Sequence, residues 1–331
     1  LALPAAAAVA AYGAGWWLRL AEPAAAAVLA LAGGTVYGYV TEGRRRRFLQ
    51  RAFSHYLSPA VIERLVEDPS RLELGGERRE LSIFFSDLAG FSTLAEGLDP
   101  RRLAALLNDY LSAMTELILA EEGTLDKYEG DAIVAFWNAP LDQDDHARRA
   151  CAAALACQER LAAMAEHFRT RTGGVPLRAR IGVHSGEVVV GNLGSRTRFD
   201  YTVLGDAANL ASRLEGANKA FGSKILVSEA TWRATAGAFH GREVGEVVVV
   251  GRRQPVRVFE PLAPAAAPPP PWLADWQSAL AALRRGELED ARRRFAARPQ
   301  DPVARAYAER LAALLAEDEP TWDGVWHLDQ K

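Results

Sequence analysis

Apolar residues recur along this chain with two periods, and the switches between them mark its elements. Residues 81–85 form a short apolar, β-branched and aromatic run, which predicts a buried strand delivering Ser86 and Asp87 to a turn closed by Gly90. Residues 124–136 repeat the theme as two short strands around a glycine turn, with Asp131 just past it. Between them, residues 99–122 enter through Asp99-Pro100 and carry Leu103, Leu106, Leu107, Leu111, Met114, Leu117 and Ile118, the stripe of a core-facing helix. A second long helix is expected over residues 142–170. Residues 177–190 alternate and read as two strands with Ser185-Gly186 at the turn. Residues 198–215 then give a strand, a Gly-Asp turn and a helix, on which Asn209 and Arg213 share a face at i, i+4 spacing. A strand over 224–227, a short helix from Ser228 and a hairpin over 244–250 and 255–259 complete the pattern. The order strand, helix, hairpin, helix, strand in the first half predicts a ferredoxin-like α+β core, an antiparallel sheet covered on one face by helices.

The ends of the chain follow other rules. Residues 1–18 and 23–41 are free of charges and are followed by Arg44-Arg45-Arg46-Arg47. At about 1.5 Å per residue each run just spans a hydrocarbon core of roughly 30 Å. Residues 1–42 are therefore expected to form two transmembrane helices, the arginines facing the cytoplasm, giving a multi-pass protein of the cell inner membrane with its catalytic part in the cytoplasm. A soluble helical hairpin is the alternative, because alanine is only weakly apolar. The sequence begins without Met, so further chain is expected upstream. Residues 43–71 read as a helical linker broken at Ser58-Pro59. Residues 263–331 read as a proline linker and a helical extension whose tryptophans dock on the preceding domain.

Charge and composition narrow the functional classes. A net charge of −3 over 331 residues gives no electrostatic reason to expect a nucleic-acid partner. Cys151 and Cys157 are the only cysteines and lie in an alanine-rich helical stretch, which suggests neither a disulfide framework nor a zinc site. Gly182, Gly186, Gly191 and Gly194 lack a following Gly-Lys-Ser or Gly-Lys-Thr and make no P-loop. His146 sits in an acidic turn that suits a helix N-terminus, and His184 reads as a structural turn residue.

Asp87 and Asp131 remain. Each is tethered to a core strand, and together they can converge on a pair of hard cations such as Mg²⁺; two ordinary turn aspartates are the simpler alternative. The motifs Phe85-Ser86-Asp87-Leu88-Ala89-Gly90-Phe91, Asp126-Lys127-Tyr128-Glu129-Gly130-Asp131, Val183-His184-Ser185-Gly186 and Leu204-Gly205-Asp206-Ala207-Ala208-Asn209-Leu210-Ala211-Ser212-Arg213 decide between them. Over residues 72–262 the chain resembles the catalytic domain of the class III adenylyl and guanylyl cyclases. The resemblance implies cyclisation of a nucleoside triphosphate, with Asp87, Asp131 and the Leu88 carbonyl holding two Mg²⁺ (or Mn²⁺) ions. It further implies that Arg213 stabilises the α-phosphate, that Asn209 orients the ribose, and that Lys127 and Thr202 read the base.

Lys127 donates only, whereas Thr202 both donates and accepts, and the pair fits adenine; guanylyl enzymes typically place an acid where Lys127 stands. ATP is therefore the expected substrate, and an adenylate cyclase the expected enzyme. Three features depart from the commoner pattern: Thr202 itself, Val250 where many relatives carry a phosphate-binding lysine, and Glu187 where some carry a basic residue. The family builds its site between two catalytic domains, so a homodimer with shared active sites is expected. The alternatives are a guanylate cyclase, a catalytically degenerate cyclase-fold regulatory partner, and a nucleotidyl transferase with another acceptor.

Overall fold

The computed structural model describes residues 10, 12–15, 26–35, 76–195, 199–317 and 321–328. The chain divides into two compact units, Leu1–His55 and Tyr56–Lys331. In the first, the described part is chiefly a ten-residue helix, Ala26–Thr35, with Val28, Leu29 and Leu31 exposed. The rest of the two runs expected to cross a membrane, and the linker expected over 43–71, lie outside the described residues.

The second unit opens with β1 (Gly76–Leu88) and α1 (Phe91–Gly97), followed by α2 (Pro100–Ala120), β2 (Thr124–Glu129), β3 (Ala132–Trp137), α3 (His146–Ala163), α4 (Ala165–Arg171) and β4 (Ala179–Gly194). Asp99 caps α2 by accepting from the Arg101 and Arg102 amides at 3.0 and 3.3 Å, with Pro100 in the first turn, where its missing N–H costs nothing. Leu106, Tyr110, Met114 and Ile118 then bury one stripe against the sheet. Among the described residues α2 is the one helix long and apolar enough to cross a membrane, and this buried stripe makes it a core helix.

The strands run in the order β2-β3-β1-β4, all antiparallel, which is the order of a ferredoxin-like half. Beyond β4 come β5 (Phe199–Leu204), α5 (Asp206–Phe221), β6 (Ile225–Ser228), α6 (Glu229–Ala234), β7 (Phe239–Val248) and β8 (Val256–Pro264). The sheet continues β4-β6-β8-β7, and β5 pairs with the far end of β4. Because β6 lies parallel to β4, the sheet is mixed and not wholly antiparallel.

Two further expectations need correction. Ser185-Gly186 is no turn: β4 is one strand of 16 residues, and Ser185 and Gly186 pair with Ser82 and Leu81 in an unbroken ladder with β1. The ladder satisfies both backbones throughout, and Ser185 Oγ lies 2.6 Å from Ser82 Oγ. Helices also cover both faces of the sheet. Ile181 and Val183 join the core under α2 and α3, whereas Gly182 between them faces α5. A Cβ on Gly182 would lie 2.2 Å from the Glu215 amide nitrogen and 2.3 Å from the Ala211 carbonyl oxygen, so only glycine lets α5 seat this close to the strand.

The C-terminal region shares a second apolar core with α5. It comprises α7 (Leu273–Arg284), α8 (Leu288–Ala296), α9 (Pro302–Leu314) and β9 (Val325–His327), the last parallel to β7. Trp276, Phe295, Tyr307 and Trp326 pack with Leu210, Leu214 and Phe221 of α5, and the Trp326 and Phe221 rings are 4.8 Å apart. Buried Arg242 donates to Glu260 at 2.8 Å, pairs with Asp301, and lies over the Trp276 ring at 4.5 Å. Its charge is thus matched on every side where burial would otherwise penalise it.

Candidate active site

The end of β1 and the β2–β3 turn bring the two candidate metal acids together. Asp131 Oδ2 accepts from the Leu88 amide at 3.1 Å, so Asp87, Leu88 and Asp131 form one cluster. Burial, and then the neighbouring Asp87 carboxyl, push the Asp131 carboxyl up to about 6. Two carboxylates held this close repel when both are charged, a cost that a divalent cation removes. The donor set also fits: hard carboxylate oxygens suit Mg²⁺ or Mn²⁺.

Arg180 belongs to this cluster. It stands opposite Asp87 in the β1–β4 register, donating to Asp87 Oδ2 at 2.7 Å and to Glu215 Oε1 at 2.9 Å. Alternation in residues 177–190 was the available signal, but the partner depends on a register that sequence does not print.

A second cluster joins Lys127 and Thr202 through Asp126. The Thr202 hydroxyl donates to Asp126 Oδ2 at 2.7 Å, and Lys127 Nζ lies 3.7 Å from Asp126 Oδ1. Lys127 is exposed while Asp126 and Thr202 are buried, so the pair sits at the rim of the sheet with its support beneath it.

Asn209 and Arg213 make the third group, on α5. Gly251, at φ +75°, brings the β7–β8 turn against Arg213, whose Nη2 would be 3.2 Å from a Cβ there. In the same turn Arg252 pairs with Asp206 at the start of α5, and Val250 is exposed. Glu187 pairs with Arg78 at 2.5 Å. Among the described residues no hydrogen bond or ion pair joins the metal acids to Lys127, Thr202, Asn209 or Arg213 within one chain. Of the histidines singled out in the sequence, His146 and His184 are both structural, His184 lying within β4 opposite Ile83 and not at a turn. His146 Nδ1 lies 2.8 Å from Ser82 Oγ. His184 Nδ1 lies 2.7 Å from Ser228 Oγ, and burial together with Arg252 lowers its pKa to about 4.

The family model for the adenylate and guanylate cyclase catalytic domain matches residues 76–259, more than half of the chain, and the chain belongs to that family. It is 34% identical over 209 residues to adenylate cyclase 1 of Rhizobium meliloti (strain 1021), covering 63% of this chain and 31% of that protein. An adenylate cyclase of Anabaena cylindrica is 34% identical over 221 residues, 65% of this chain and 42% of that protein. The chain thus spans less than half the length of these curated relatives. Among solved structures, the adenylyl cyclase CyaB from P. aeruginosa aligns with TM-score 0.53 and 35% identity over 57% of this chain and 96% of that one. The guanylyl cyclase Cya2 aligns equally well, with TM-score 0.53 and 34% identity over 58% and 96%. Overall likeness therefore leaves the choice of purine to the residues that meet the base.

Proposed function

We propose that this chain is an adenylate cyclase, converting ATP to 3′,5′-cyclic AMP and pyrophosphate in intracellular signalling. The observation that carries the reading is that Lys127 and Thr202 are brought together on Asp126: taken as the base-reading positions, Lys127 supplies a donor and Thr202 an acceptor, the complement of the adenine ring nitrogen and amino group. In the reaction the ribose 3′-oxygen bonds to the α-phosphorus, the bond to the β-phosphate oxygen breaks, and the hydroxyl proton is lost. Asp87, Asp131 and the Leu88 carbonyl would hold two Mg²⁺ (or Mn²⁺) ions, whose chemistry when bound is to acidify the 3′-hydroxyl and neutralise phosphate charge. Arg213 meets the charge that builds on the α-phosphate, and Asn209 orients the ribose for in-line attack. Retention of both acids, Lys127, Asn209 and Arg213 together argues against a degenerate regulatory domain.

Among the described residues no hydrogen bond or ion pair joins Asp87 or Asp131 directly to Lys127, Thr202, Asn209 or Arg213, Arg180 linking Asp87 to α5 only at Glu215, and this supports a two-fold homodimer with shared sites. The full chain incubated with ATP or GTP and Mg²⁺ or Mn²⁺ should yield cyclic AMP from ATP. Cyclic GMP as the main product, or no cyclic product with either metal, overturns the reading.

The exposed apolar residues of helix Ala26–Thr35, the uncharged runs around it and the arginines at 44–47 support a further part of the proposal. Residues 1–42 anchor the protein in the cell inner membrane, with the catalytic domain in the cytoplasm. Washing membranes at high salt should leave the full chain bound; release by salt alone would mean that it is held by charge and not by insertion.

A further inference from the structure

The β2 strand breaks its own alternation at Asp126. Leu125 pairs with Ala135 and Lys127 with Val134, so Asp126 is the extra residue of a β-bulge. Bulges re-aim side chains next to functional sites. Here the bulge turns a carboxylate inward beside an exposed lysine, and Asp126 is only 3% exposed. A buried carboxylate is costly unless its oxygens are satisfied. Only Oδ2 is: it accepts from the Thr202 hydroxyl at 2.7 Å. Oδ1 is buried without a hydrogen-bond partner, and Lys127 Nζ stands 3.7 Å away, just beyond bonding distance. Burial raises the proton affinity of Asp126, and the Thr202 hydrogen bond and the Lys127 charge oppose that rise.

We propose that Asp126 is a positioning residue that sets purine specificity: its carboxylate takes the one hydrogen of the Thr202 hydroxyl and anchors the Lys127 ammonium, fixing what each presents to the base. An ionised carboxylate only accepts, so the direction of the Asp126–Thr202 bond is not open. A threonine that could otherwise donate or accept is left with lone pairs alone, and Lys127, drawn to Oδ1, keeps its other N–H groups for the ring. An adenine edge, with its amino donor and ring-nitrogen acceptor, satisfies both. A 6-oxo purine meets both with the wrong polarity. The inference rests on the adenylate cyclase reading and explains how a threonine, ambivalent by itself, can serve it.

The test is competition between ATP and inosine triphosphate, which differ at the ring nitrogen and the 6-position only, using the full chain. The wild-type protein should prefer ATP. In Asp126→Asn the amide turns its oxygen to Lys127 and its NH₂ to Thr202, releasing the hydroxyl hydrogen towards the base, so the preference should fall roughly tenfold. Thr202→Ser keeps the relay and should hold the ratio within about threefold. Thr202→Val should collapse the ratio through loss of ATP use, with no matching loss for inosine triphosphate. A purely structural Asp126 would depress both substrates together. An unchanged ratio in active Asp126→Asn overturns the inference while the adenylate cyclase reading stands. If that variant does not fold, Thr202→Val decides, and equal losses on both substrates overturn it. A wild-type chain that prefers the 6-oxo purine removes both the reading and the inference.

Discussion

Replacing Asp87 or Asp131 by alanine should lower cyclic AMP formation roughly a thousandfold or more while leaving the protein folded. The two effects separate because of where these side chains sit. Neither belongs to the apolar core, and each is half-buried beside the other at a strand end. Removing one relieves a like-charge contact that the native fold tolerates at a cost. In Asp87→Ala, Arg180 keeps Glu215 at 2.9 Å, so no buried cation is stranded. In Asp131→Ala the Leu88 amide loses its acceptor, a loss of about 1 kcal/mol that the relieved repulsion offsets. The melting temperature should therefore stay within about 4 °C of wild type. Cyclic AMP measured at saturating Mg²⁺, beside a thermal melt, checks both halves. Near wild-type turnover in either variant would show that the acid does not hold the metal; a collapsed melt would show that its role is structural.

The sequence disclosed the parts of this fold that local pattern controls. The stripe of α2, the strand at 81–85 and the turn before Asp131 each follow from periodicity and turn chemistry, and all appear in the structure. What escaped was set by distant partners. Ser185-Gly186 has the composition of a turn, yet a continuous ladder with β1 keeps it extended. Arg180 reaches Asp87 because of that ladder's register, and Asp126 is turned inward by a bulge in β2. The second helical face depends on Gly182, whose missing side chain shows only once α5 is in place. Strand and turn pattern brought out Asp87 and Asp131, and helical spacing paired Asn209 with Arg213, but the roles of these residues and of Lys127 follow from the family motifs; their supports, Asp126, Arg180 and Gly251, carry no role in pattern or motif because distant partners place them.

Mixing two dead proteins should restore activity. If the metal acids of one chain work with Lys127, Thr202, Asn209 and Arg213 of its partner, then Asp87→Ala and Arg213→Ala damage opposite halves of each shared site. Homodimers of either variant carry two damaged sites and should be nearly inactive. In a mixed dimer the Asp87→Ala chain contributes an intact Arg213 to the site whose acids come from the Arg213→Ala chain, so one site is whole and the other doubly damaged. Random pairing of equal amounts makes half the dimers mixed, and half of their sites intact, giving roughly a quarter of the wild-type rate. The geometry within one chain is what makes this a demanding test: Arg213 is held against the Gly251 turn and Asp87 against Arg180, and the polar link that Arg180 makes from Asp87 to α5 ends on Glu215 and not on Arg213. Subunits must exchange for the effect to appear, which co-expression ensures. Activity in the co-expressed pair no greater than in the separate variants would place each complete site within a single chain. Both groups would then have to converge by a rearrangement of α5 on the sheet, where the helix is seated so close that a Cβ on Gly182 would lie 2.2 Å from the Glu215 amide nitrogen.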